Sequence, residues 1–157
     1  DGIVSGVLLP DGHIDRTRTA WLVEAAQPLP FTFHRAFDMC REPWLAIGQL
    51  AELGVQNILT SGLRATALEG IGHLRTFVAL AGERLTIMAC SELHPDTIDP
   101  LLEIEGLQAF HAALRRPVHS QMSFRGLAPM GDENLEAEFS WHEAKLEWIE
   151  QMRQKLQ

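Results

Sequence analysis

Short apolar runs recur along this chain, each followed by a longer amphipathic stretch. The runs cover residues 3–9, 31–34, 57–60, 85–89 and 107–111. Runs this short, bounded by turn residues and rich in aromatic and branched side chains, read as strands. The stretches between them read as helices. Asp15 is a natural N-cap for a helix reaching Ala26, with Trp21, Leu22, Ala25 and Ala26 as its apolar face. Pro43 suits a first helical position. Behind it Trp44, Leu45, Ile47, Leu50 and Leu53 form a stripe that Gly54 stops. Leu68, Ile71, Leu74 and Val78 line a third helix ended by Gly82, and a fourth spans residues 95–103.

Five βα units in succession predict a parallel sheet covered by helices, because parallel strands require crossover connections. The expected fold class is α/β, in a single domain over residues 1–157. Two architectures satisfy the pattern, an open doubly wound sheet and part of a closed (β/α)8 barrel. A whole barrel needs about 250 residues, and this chain has 157. No Gly-x-Gly-x-x-Gly follows any of the predicted strands, which counts against a dinucleotide-binding sheet. Beyond the fifth strand the pattern weakens. A long loop is expected near 112–137, then a helix over 140–156 opened by the capping box Ser140-x-x-Glu143.

The formal net charge is -8. An acidic chain repels phosphate backbones, so nucleic acid is not expected as a partner. No apolar run approaches the roughly 20 residues that span a bilayer, so no membrane partner is expected. The two cysteines, Cys40 and Cys90, are too few for a disulfide framework and suggest a reduced, cytoplasmic setting.

In parallel α/β folds the sites lie at the C-terminal ends of strands. Those ends offer Thr32, His34, Arg35, Asp38 and Cys40 after the second strand. They offer Thr60 and Ser61 after the third, Met88 and Cys90 on the fourth, and His111 on the fifth. Strand side chains alternate faces, so His34 shares a face with Thr32, and Cys90 shares one with Met88 and Thr86. Imidazole, thioether and thiolate together favour Cu(I) over hard cations, which makes Cys40, Cys90, Met88 and His34 candidate ligands. Each has a plainer reading too: Met88 and Cys90 also suit a core. His34, Arg35, Asp38, Thr60 and Ser61 form a second candidate set, for a small anionic ligand. Arg35 and Asp38 could equally be a structural ion pair.

Phe33-His34-Arg35-Ala36-Phe37-Asp38, Leu50-Ala51-Glu52-Leu53-Gly54 and Ile58-Leu59-Thr60-Ser61-Gly62 resemble the CutC copper-homeostasis family closely. So do residues 1–8 and 11–15. The resemblance implies a TIM barrel of which this chain holds about five βα units, a cytoplasmic location and a tie to copper. It implies no established reaction. Two readings follow: Cu(I) binding at the strand ends, or an enzyme acting on a small anionic metabolite with His34 as acid/base and Arg35 as anion clamp. Where the family has a Gly-Ala-Gly-type loop after the fourth strand, this chain has Cys90-Ser91-Glu92. Five strands of a closed barrel leave two unpaired edges, so a homo-oligomer is expected.

Overall fold

The computed structural model describes residues 1–126 and 137–157. They form two compact units, Asp1–Ala112 and Ala113–Gln157.

The first unit is built on five parallel strands: β1 (Ile3–Ser5), β2 (Phe31–Phe33), β3 (Asn57–Thr60), β4 (Thr86–Cys90) and β5 (Ala109–His111). Their order in the sheet is their order in the chain. A doubly wound sheet reverses strand order at a switch point; this one does not, so it is an arc of a (β/α)8-type barrel that does not close. Helices α1 (Arg16–Ala26), α2 (Pro43–Glu52), α3 (Ile71–Ala81) and α4 (Asp99–Leu102) make the connections.

Register sorts the strand residues into two faces. Phe33 pairs with Ile58, Ile58 with Ile87, and Ala89 with Phe110, and neighbours in parallel register point the same way. Phe31, Phe33, Ile58, Ile87 and Ala89 on this face are buried beneath helices that contribute Ile47, Leu50, Leu74 and Phe77. The Phe37 and Phe77 rings meet edge to face at 5.4 Å, a favoured aromatic arrangement. The opposite face carries Thr32, Asn57, Leu59, Thr86, Met88, Cys90 and His111.

Three helix ends lie where the punctuation predicts. Asp15 caps α1 by accepting from the Arg18 amide, Pro43 opens α2, and Gly82 closes α3 with φ 54. The predicted faces need correcting. In α1 it is Thr19, Val23 and Ala26 that are buried, while Trp21 is 64% exposed. In α2 Ala46 replaces Trp44 and Leu45 on the inner side. Small side chains let a helix approach a sheet closely, and the large ones are displaced to the rim. Helix α4 is shorter than its predicted 95–103, because Pro100 sits in its first turn and Thr97 turns the preceding backbone through its hydroxyl.

The second unit pairs β6 (Arg115–His119) with β7 (Ser140–Ala144) in an antiparallel ribbon, followed by α5 (Leu146–Lys155). The expected loop over 112–137 is therefore interrupted by a strand; residues 127–136 lie outside the described part. The expected helix over 140–156 starts six residues late. Ser140 and Glu143 do not cap it: both are paired across the ribbon, and Glu143 bonds Arg116 at 3.0 Å. A ladder of cross-strand partners outweighs one local cap. Among the described residues no helix is long and apolar enough to cross a membrane.

Candidate functional site

Beyond β2 the chain tightens into a 3-10 turn over Arg35–Met39. His34 starts it: its Nδ1 accepts from the Ala36 amide at 3.1 Å. A ring nitrogen that accepts carries no proton, so the neutral imidazole holds its hydrogen on Nε2. The ring also lies so close to Gly6 that a Cβ there would stand 2.8 Å from Nδ1. The turn swings Asp38 back over the end of β3.

There the Asp38 carboxylate is gripped on all sides. Its Oδ1 accepts from the Thr60 hydroxyl at 2.5 Å and from the Ser61 and Leu63 amides at 3.2 and 3.3 Å. Its Oδ2 accepts from Arg35 Nε at 2.8 Å and also lies 3.2 Å from the Ser61 amide. The Ser61 hydroxyl, with one proton, lies 2.5 Å from the Arg64 carbonyl and 3.0 Å from Asp38 Oδ2, and its oxygen accepts from Arg35 Nη2 at 2.9 Å. Four of the five residues in the anion set thus converge: Arg35, Asp38, Thr60 and Ser61. The hydroxyl and amides expected to greet an outside anion hold an internal one instead.

The backbone makes this possible. Gly62 has φ 71, and a Cβ on it would lie 2.4 Å from the Gly70 carbonyl oxygen. Only glycine permits that crossing of two backbones. His73 is part of the clamp: its Nδ1 donates to the Gly62 carbonyl at 2.8 Å, and its ring stacks on Phe77. Nothing in residue spacing marks that bond, because it joins a helix to a turn.

The copper set is less gathered. Thr60 pairs with Ala89, so Ser61 runs alongside Cys90 at the ends of β3 and β4. Cys90 is buried, and burial pushes its thiol up to about 11; the nearby Arg35 guanidinium acts against this and the Asp38 carboxylate reinforces it. Asp38, by its hydrogen bond, raises Arg35 above its ordinary value. Met88 lies two residues before Cys90 on the same face, and His111 is the register partner of Cys90 across β5. That pairing was open to sequence reading only once the strand register was known. Cys40 ends the 3-10 turn, where burial is the main cause that raises its thiol and Glu42 is its charged neighbour. Among the described residues, no three His, Cys, Asp or Glu side chains are grouped to hold a metal ion.

The chain is similar to proteins already described. The CutC family model matches residues 1–116. A Parabacteroides distasonis family protein CutC is 40% identical over 139 residues, covering 88% of this chain and 57% of that one. A mouse copper homeostasis protein cutC homolog is 38% identical, covering 89% and 52%. A Chromobacterium violaceum family protein CutC is 37% identical over 157 residues, 99% of this chain and 63% of that one. A crystal structure carrying the CutC name, from Streptococcus agalactiae, superposes with a TM-score of 0.64 at 30% identity, over 69% of this chain and 53% of that one. The chain therefore spans between 52% and 63% of the length of these relatives.

Proposed function

Since the chain belongs to the CutC family, we propose that it serves copper homeostasis by binding Cu(I) at the strand ends, with Cys90 as the principal ligand. The observation that carries this is the strand register. It sets the Cys90 thiol beside His111 and on the same face as the Met88 thioether. Neighbouring parallel strands lie about 4.8 Å apart, within span of a single ion. Thiolate, thioether and imidazole suit Cu(I). Cys40 and His34 take lesser parts in this reading, since His34 Nδ1 is already taken by the Ala36 amide and Cys40 lies on the turn beside Glu42. Binding must release the Cys90 proton, so affinity rises with pH below about 11. Both cysteines are free, which agrees with a reduced, cytoplasmic setting.

The test is an anaerobic Cu(I) titration against a competing chelator. The parent and Cys40→Ser are expected to bind alike, with binding lost in Cys90→Ser and weakened in His111→Ala. Equal binding by parent and Cys90→Ser would discard the site.

The homo-oligomer belongs to the same proposal. Among the described residues, strands β1 and β5 each have one neighbour in the sheet, and Val4 on β1 is 60% exposed. Unpaired edges recruit other chains. Light scattering is expected to give a mass above one chain. A monodisperse monomer that melts cooperatively would refute it.

A further inference from the structure

Arg35 invites a question that copper does not answer. A guanidinium has five N–H donors in one plane. Two of them, on Nε and Nη2, form one edge of the fork, and here that edge faces inward. Nε donates to Asp38 Oδ2 at 2.8 Å and Nη2 to Ser61 Oγ at 2.9 Å. The other edge, made by the outer N–H bonds of Nη1 and Nη2, has no partner among the described residues. The side chain is 47% exposed, whereas Asp38 behind it is 8% exposed.

Asp38 gains more from this arrangement than a counter-ion. Its two oxygens already accept from Thr60, Ser61 and Leu63. Together with Ser61 it fixes the plane of the guanidinium, so little ordering remains to be done when a ligand arrives. The arginine spans from the turn after β2 to the end of β3, at the end of the sheet where parallel α/β folds bind their ligands.

We propose that the outer edge of Arg35 clamps a small oxyanion, a carboxylate or a phosphate, through two parallel hydrogen bonds, with Asp38 and Ser61 as positioning residues. Two acceptor oxygens on one atom match the fork, which a single point charge does not require. The site is distinct from the copper reading and does not depend on it. The Nε2 proton of His34, next in the chain, adds a donor rather than an acceptor to this end of the sheet.

Calorimetric titration in metal-free buffer tests this, with inorganic phosphate and succinate as separate probes. The proteins are the parent, Arg35→Gln and Arg35→Lys, each checked for an unchanged melting curve. Saturable binding of at least one probe is expected, and the stronger probe names the oxyanion. Affinity should fall about tenfold or more in Arg35→Gln. Lysine keeps the charge without the fork, so Arg35→Lys should also bind more weakly than the parent. Should Arg35→Gln not fold, Arg35→Lys alone decides. No saturable binding of either probe by the parent up to tens of millimolar overturns the proposal, as does equal affinity in parent and Arg35→Lys.

Discussion

The two sides of the strand-end region solve the burial of polar groups differently. At the ends of β2 and β3 a charged carboxylate is buried, and hydroxyl, amide and guanidinium donors surround it. At the ends of β4 and β5 a thiol is buried, and it stays neutral because burial disfavours its charged form by more than the Arg35 guanidinium and the Ser91 hydrogen bond favour it. A carboxylate cannot be buried charged without such a shell; a thiol needs none and simply keeps its proton. The first side is therefore held rigidly by many partners. The second retains its proton.

Substitutions should expose that contrast, and the largest effect belongs to the turn that builds the first side. Gly62→Ala adds a Cβ 2.4 Å from the Gly70 carbonyl oxygen at a φ of 71. Overpacking and a left-handed backbone together should destabilise the chain by about 3 kcal/mol. Asp38→Ala should cost about 2 kcal/mol, since it strands the Ser61 and Leu63 amides while Arg35 turns to water. Urea unfolding checks both, and Asp38→Ala proving the milder of the two is part of the expectation. If neither moves the midpoint, the polar cluster does not hold the first side together.

The smaller effect belongs to the thiol side. Cys90 keeps its proton in the fold up to about 11, against an ordinary value of 9.0. Over that window the unfolded chain releases a proton that the folded chain retains, so stability falls as pH rises from about 9 toward about 11. Melting temperatures measured across this range should drop in the parent and flatten in Cys90→Ala. A thiol reagent at pH 8 should label half-buried Cys40 before buried Cys90. Parallel slopes in parent and Cys90→Ala would show that the thiol is not protected as described.

The loop after β4 teaches a related lesson. Ser91 and Glu92, neither of them glycine, take φ values of 77 and 54. The surrounding fold imposes a glycine-like path on residues that resist it.

The five strands of the first unit, their parallel pairing, the helix caps at Asp15 and Pro43, and the stop at Gly82 were legible in the chain, because apolar period and turn chemistry are local. His34, Arg35, Asp38, Thr60 and Ser61 also stood in one candidate set, of which the last four converge. How those four side chains meet became visible only in the folded chain. Asp38 reaches Ser61 across 23 residues of chain, and no local rule says that an internal carboxylate will fill a loop that looks ready for an outside one. The same holds for Cys90 beside His111, for His73 on the Gly62 carbonyl, and for Ser140–Ala144 as a strand. Each depends on partners far away in the chain, and a hydrogen bond or a register is fixed only when both ends have been brought together.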